Sequence, residues 1–395
     1  MRFLLIETNK ESELNVDVRM PYILGILKED RHTTFYIRTD DFDHIRDEIG
    51  RFDPDYIITS EMALPNSRDG TRYILSSDFQ RFYSALSKRR LDLFQYTPIF
   101  HCDIERLGHS RRYIPHLVLS NPCNYRRKIA TNPLYKGIRI PRGVRNSGCS
   151  FCKDLHSNRI WNIQSRDILR RQLSSARDYL AEQGLKSLRI IGETYISKLD
   201  QVIEDFEALR IEDVDIVITM RPELIIQRYG HFVEALSLAQ KSNLRIVFCS
   251  IGIESFYPND LLLYNRCLNT ERILESVYLV YNLKKRFEET LIIDRYNLFN
   301  FILFNPYTSV DSIEFNLRTM KFIGIENIHR GIFLNRLQID RNTPIHYKIG
   351  KDGLLTGDCT WRFMDKRIEK YYSRIQNIKE GWFAIDSLYR HLEAV

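Results

Sequence analysis

Two cysteines three positions apart, Cys149 and Cys152, sit in the run Arg145-Asn146-Ser147-Gly148-Cys149-Ser150-Phe151-Cys152-Lys153. Thiolates at this spacing can hold a soft metal or cycle as a dithiol. Taken alone, the pair fits half a zinc site, a redox dithiol or chance. A tetrahedral zinc would need two more ligands, and no second C-x-x-C or H-x-x-x-H supplies them. Arg145, four residues before Cys149, stays protonated and has no lone pair to offer a metal. Cys123 upstream, in Asn121-Pro122-Cys123-Asn124, could fold back to the pair. His156, four residues past Cys152, is a second candidate, because imidazole ligates iron in some iron–sulfur centres. Cys249 lies in the apolar run Ile246–Ser250 and reads as a small core residue.

Four further segments place reactive side chains where strand-like runs end. Gly192-Glu193-Thr194 puts a carboxylate beside a glycine. The glycine would let backbone approach a ligand, and the carboxylate would pair with an ammonium. The plainer alternative is a strand-to-helix turn with Glu193 near a helix N-terminus. Arg221, in Thr219-Met220-Arg221-Pro222-Glu223, can face a carboxylate or reach solvent. Glu254, in Gly252-Ile253-Glu254-Ser255, could meet a ligand or form an ion pair. Asn305 follows the apolar run Phe301–Phe304.

The elements that would position these residues alternate. Arg2–Glu7, Thr33–Arg38 and Tyr56–Ser60 read as strands, with helices at Met20–Lys28 and Phe42–Phe52 between them. That rhythm implies a parallel sheet. Residues 61–100 read as loop and helix, with Phe79–Phe94 strongly helical. A second alternation runs from Lys136–Ile140 through Ser187–Ile191, Asp215–Thr219, Arg245–Ser250, Asn297–Phe304 and Asn327–Leu334. Amphipathic helices at Arg166–Gln183, Leu199–Leu209, Glu223–Gln240, Asn269–Phe287 and Val310–Phe322 separate most of them. Six strand-helix units result, too short a span for a full eight-stranded barrel. The end of the chain holds a hairpin around Lys351-Asp352-Gly353 and a helix from Arg367 to about Ile375. The division expected is 1–130, 131–345 and 346–395.

The chain has 395 residues, 44% hydrophobic and 28% charged, enough for a large core and ordinary for a soluble globular protein. No apolar run approaches the roughly 20 residues of a membrane span. The start, Met1 to Glu7, reads as a first strand and not a signal peptide, so a cytoplasmic location is expected. Seven scattered cysteines argue against a disulfide framework. The net charge of +7 is mild, and no aromatic-interleaved basic module marks a specific nucleic-acid binder.

Taken together, the segments resemble the radical-SAM superfamily. Its cluster loop carries three cysteines as C-x-x-x-C-x-x-C, with an aromatic residue like Phe151 between the last two. Here the first cysteine is replaced, by Arg145 or, aligned on Arg142-Gly143, by Val144. Gly192-Glu193-Thr194 resembles the family's G-G-E segment, which holds the methionine amino group of S-adenosylmethionine. Gly252-Ile253-Glu254-Ser255 resembles its G-x-E-S segment. Asn305 and Asn342 stand where the family has glycines, and Asn tolerates left-handed backbone better than most residues. The first sixty residues look like the start of the cobalamin-binding domain that precedes many such barrels, without its D-x-H-x-x-G cobalt-ligand sequence. Trp361-Arg362-Phe363-Met364-Asp365 resembles the tail segment of that subgroup.

The resemblance implies an α/β fold: a partial (β/α)6 radical-SAM-type barrel after a small Rossmann-like domain. It implies a four-iron four-sulfur cluster on Cys149 and Cys152, with Cys123 the third ligand we expect in place of the missing cysteine. S-adenosylmethionine would lie near Gly192, Glu193, Thr194, Arg221, Glu254 and Asn305, with cobalamin as a further cofactor. The activity implied is cleavage of S-adenosylmethionine to start radical chemistry, such as methyl transfer or rearrangement, on a small-molecule or peptide substrate. The competing expectation is a cluster-deficient partner or scaffold in a heteromeric complex with an intact enzyme.

Overall fold

A computed structural model of the chain describes residues 1–7, 19–38, 42–60, 72–88, 91–98, 100, 114–120, 123–142, 144, 146–152, 165–293 and 298–394. Arg145 and His156 lie outside the described residues. The chain forms two compact units.

The first unit comprises residues 1–122, 161–217 and 238–245. Its leading part runs β1 (Arg2–Glu7), α1 (Met20–Glu29), β2 (Thr33–Arg38), α2 (Phe42–Phe52), β3 (Tyr56–Thr59), β4 (Arg72–Leu75) and α3 (Phe79–Ser87). The four strands form one parallel sheet in the order β2-β1-β3-β4. Five consecutive residues of β1, Phe3 to Glu7, are buried, the pattern of a central parallel strand covered on both faces. Helix α1 buries Met20, Ile23, Leu24 and Leu27 against Phe3, Leu5 and Ile58. The sequence reading missed β4 and ran the following helix to Phe94. The helix instead stops at Ser87, where Lys88 takes a left-handed φ of 54°.

The same unit contains β5 (His116–Val118), α4 (Arg166–Gln183), β6 (Ser187–Ile191), α5 (Glu193–Ile196), α6 (Leu199–Ala208) and the first half of β7 (Asp215–Met220). β5 and β6 pair in parallel. Helix α4 begins where Ser165 Oγ accepts the Ile168 N–H at 3.2 Å and ends at Gly184 with φ 61°. Those caps explain why its sequence-read boundaries hold. The first strand of this alternation was expected at Lys136–Ile140. No strand forms there; the strand partnering β6 is β5, twenty residues earlier.

The second unit comprises residues 123–160, 218–237 and 246–395. It takes the end of β7, most of α7 (Pro222–Lys241) and β8 (Arg245–Glu254), then α8 (Pro258–Leu263), α9 (Thr270–Arg286), β9 (Leu291–Ile293), β10 (Phe299–Phe301) and α10 (Val310–Phe322). There follow β11 (Asn327–His329), α11 (Arg330–Phe333), α12 (Pro344–Lys351), α13 (Lys366–Gln376), β12 (Trp382–Ala384) and α14 (Ile385–Glu393). β9 and β10 both pair in parallel with β8, at different stretches of it. The expected sixth parallel strand, Asn327–Leu334, is absent. β11 pairs antiparallel with β12, and Arg330–Phe333 turns helical. What remains of a sixth strand is one parallel bridge, Phe304 to Arg336. Arg336 is pinned there by the ring faces of Trp361, Phe363 and Tyr372, 4.1 to 5.2 Å away. The expected hairpin shrinks to a single antiparallel bridge between Leu355 and Trp361.

Candidate functional site

The cysteine loop, residues 146–152, has little regular structure and is fixed by hydrogen bonds from its neighbours in the second unit. Gly148 takes φ +88° and donates its N–H to the Arg127 carbonyl at 2.8 Å. The Asn265 amide donates to the Gly148 carbonyl at 2.7 Å. Ser150 donates its N–H to the Tyr264 carbonyl and its hydroxyl to the Leu263 carbonyl. Phe151 meets the Tyr264 ring edge-on at 5.4 Å. The turn after α8, residues 263–266, thus clamps the loop from one side.

Cys149 is buried and Cys152 exposed, with Cys123 between these extremes; none is in a disulfide. Burial pushes the Cys149 thiol up to about 12; the Arg266 guanidinium opposes this, while Glu254, Cys123 and Cys152 add to it. The structure therefore brings Cys123 and Cys152 within electrostatic reach of Cys149. The Cys123 sulfur accepts the Tyr125 N–H at 3.4 Å.

Arg266 is the residue that sequence reasoning passed over. It is buried and donates to Cys149 Sγ at 3.8 Å, to Glu223 Oε2 at 3.1 Å and to the Gly252 carbonyl at 3.1 Å. Glu254 Oε1 lies 3.7 Å away. Burial alone would ease its proton off, but Cys149, Glu223 and Glu254 outweigh that and raise its pKa. A buried cation beside carboxylates is the arrangement in which ion pairs keep their strength. Its signal in the sequence was an arginine in Leu263-Tyr264-Asn265-Arg266-Cys267-Leu268, soon after the G-x-E-S segment. Cys267 lies beside it, Sγ 3.7 Å from Glu223 Oε1.

Of the other sequence-selected residues, Glu254 ends β8 with φ +69°, a costly conformation for a non-glycine, and burial raises its pKa. Arg221 pairs with Glu223 at 3.3 Å and lies over the Tyr125 ring at 5.2 Å. Asn305 is fully buried and turned inward. Its amide donates to Asp260 Oδ1 at 3.1 Å and to the Tyr264 hydroxyl oxygen at 2.9 Å, and its oxygen accepts the Tyr307 N–H at 2.8 Å. Asn342 takes a left-handed φ of 67°. Gly192, Glu193 and Thr194 belong to the first unit. There Gly192 has φ +145°, and a Cβ on it would fall 2.5 Å from Ser120 Oγ. Thr194 donates its N–H to that oxygen at 3.3 Å, and Glu193 is buried.

Thiolates are the donors that iron–sulfur clusters take, so Cys149, Cys152 and Cys123 fit such a group chemically. Among the described residues, Cys149 and Cys152 belong to no trio of ligand atoms all within 4.8 Å of one another. A bound metal would also deprotonate the buried thiol, the state that Arg266 favours.

No family model matches the sequence, and no curated protein matches it. Solved structures do match. The chain is similar to the apo form of the cobalamin-dependent S-adenosylmethionine radical enzyme OxsB, with TM-score 0.61 and 13% identity over 95% of this chain and 66% of that one. OxsB with aqua-cobalamin and S-adenosylmethionine bound gives 0.61 at 14%, with the same coverage. The radical S-adenosylmethionine methyltransferase TsrM from Kitasatospora setae, with tryptophan and a cofactor analogue bound, gives 0.52 at 10% over 92% and 85%. The chain thus has the fold of cobalamin-dependent radical S-adenosylmethionine enzymes. It spans just under two thirds of OxsB. Among the described residues no helix is long and apolar enough to cross a membrane.

Proposed function

We propose that this chain is a radical-SAM-type enzyme that holds an iron–sulfur cluster on Cys149, Cys152 and Cys123 and binds S-adenosylmethionine beside it. The observation that carries this reading is a buried Cys149 that accepts a hydrogen bond from the buried Arg266 and lies within electrostatic reach of Cys123 and Cys152, in a chain with the fold of OxsB and TsrM. When bound and reduced, such a cluster supplies the electron that splits a carbon–sulfur bond of S-adenosylmethionine.

The protein's own residues orient and shield. Arg266 donates to the Cys149 sulfur and favours its thiolate. The Asn265, Tyr264 and Leu263 contacts fix the loop that carries Cys149 and Cys152. Within the first unit, Gly192, Glu193 and Thr194 would offer a carboxylate and close backbone to an ammonium group. Arg221 and Glu254 contribute charge near the thiols. For cobalamin, the seat we favour is the carboxyl edge of the four-stranded sheet. Its strand order reverses between β1 and β3, so a ligand crevice would open near Glu7 and Thr59. The substrate is a small molecule or peptide, and the outcome is methyl transfer or rearrangement.

One observation favours a second reading, a cluster-free partner protein in a heteromeric complex. Glu223 and Glu254 are already paired with Arg266, and Asn305 with Asp260, so this unit satisfies its buried charges with no cofactor. Anaerobic reconstitution with iron and sulfide, followed by assay for 5′-deoxyadenosine, separates the two. Cofactor cleavage supports the enzyme. A colourless protein that forms a tight complex with an intact three-cysteine relative supports the partner.

A further inference from the structure

Residues 106–153 contain eleven lysines and arginines and no aspartate or glutamate. That is more than the whole chain's net charge of +7, so the rest of the chain is net negative. Within this stretch Arg126, Lys128, Lys136, Arg139 and Arg142 are exposed. None of the five has a carboxylate partner among the described residues. Uncompensated like charges on one short segment repel each other, and an acidic partner relieves that repulsion.

The segment also offers backbone. Ile138-Arg139-Ile140 alternates apolar and basic, the period of a strand, before the turn that Val144 N–H closes on the Pro141 carbonyl, yet it joins no sheet. The N–H groups of Arg139 and Ile140 have no hydrogen-bond partner among the described residues. Beside it lies a cavity of about 640 Å3 whose walls include Tyr135, Ile138, Ile140, Val144 and the cations Lys136 and Arg142. An extended segment fits these three features together. Its backbone pairs with one edge of residues 138–140, through the N–H of either Arg139 or Ile140, its carboxylates meet the cations, and its apolar side chains enter the cavity. A nucleic acid would use the cations alone and leave the apolar cavity and the unpaired amides unexplained.

We propose that residues 138–140, flanked by Lys136 and Arg142, are a docking edge for an acidic, extended segment of a partner polypeptide, bound as an added strand. Ile129 and Asn146 line the same cavity, and Ile129 N–H to Asn146 O and Gly148 N–H to Arg127 O tie that wall to the cysteine loop. The partner is thereby brought alongside the thiols. Binding here requires no cluster and stands apart from the proposed activity.

The test uses the full chain without cofactors and a short fluorescein-labelled peptide of alternating glutamate and valine. The controls are the same peptide with lysine for glutamate and a labelled single-stranded DNA of equal negative charge. The acidic peptide is expected to bind, more weakly as salt rises. Lys136→Glu/Arg139→Glu/Arg142→Glu is expected to weaken it at least about tenfold, while circular dichroism and the melting temperature stay unchanged. Amide hydrogen exchange at Arg139 or Ile140 of the unmutated protein is expected to slow when peptide is added, a readout that does not depend on how the variant folds. The proposal is overturned if the DNA binds as tightly as the peptide, if the lysine peptide binds equally well, or if those amides gain no protection.

Discussion

The guanidinium of Arg266 lies 3.8 Å from the sulfur of Cys149 and 3.1 Å from a carboxylate oxygen of Glu223, with both charged side chains 3% exposed. Arg266 thus faces two carboxylates, Glu254 and the Glu223 that it shares with Arg221, and the most buried thiol of the loop. Replacing it by an apolar residue strands those carboxylates in low dielectric. Arg266→Met is expected to lose about 3–5 kcal/mol in urea unfolding, with Arg266→Lys recovering part of it. A loss within error of zero would mean that the pair is not buried as described.

Asn305 tests whether glycine would suit its position better, as the family pattern suggests. Its side chain serves Asp260, Tyr264 and the Tyr307 N–H, all within this unit. Asn305→Gly leaves those groups short of partners and opens a void. The expected cost is about 2–4 kcal/mol, read as a lower melting temperature. A stabilised variant would contradict the internal role.

Gly192 has no room for a methyl group. A Cβ would come within 2.6 Å of the Ser120 backbone nitrogen, and the φ of +145° is itself hostile to any side chain. Gly192→Ala is expected to cost at least about 2 kcal/mol in the first unit, seen by denaturant titration. A neutral substitution would show that Ser120 is not where the structure has it.

Asp260 gives a pH signature. Burial pushes its carboxyl up to about 6, although Asn305 and Ser255 donate hydrogen bonds to it. The folded state therefore prefers the protonated acid. The stability this gives is complete below the ordinary value of 3.8 and is lost as pH rises through about 6. The difference between pH 4 and pH 7 is about 3 kcal/mol at most. Asp260→Asn has no proton to lose, so its stability relative to the unmodified protein is expected to rise across that interval. Parallel stability curves for the two proteins would rule the effect out.

Much of this was legible in the sequence, for identifiable reasons. α4 and α10 kept their boundaries because strong caps at Ser165, Gly184 and Ser309 coincide with the ends of apolar periodicity. The local pattern at Ile138–Ile140 is strand-like, but a strand needs a partner, and β6 pairs with His116–Val118 instead. Asn327–His329 reads equally well as parallel or antiparallel, and its partner β12 lies more than fifty residues later. Cys149 and Cys152 announced themselves by spacing. Arg266 did not, because its role comes from burial between Cys149, Glu223 and Glu254, which lie far apart in the chain.

Iron and sulfide analysis after anaerobic reconstitution, with the visible spectrum, tests the three-thiol site most directly. The unmodified protein is expected to turn brown with about four iron and four sulfide per chain. Cys149→Ala, Cys152→Ala and Cys123→Ala are each expected to lose most of that iron, while Cys359→Ala keeps it. A colourless or zinc-only protein would contradict the cluster, and a Cys123→Ala spectrum identical to that of the unmodified protein would remove Cys123 as its third ligand.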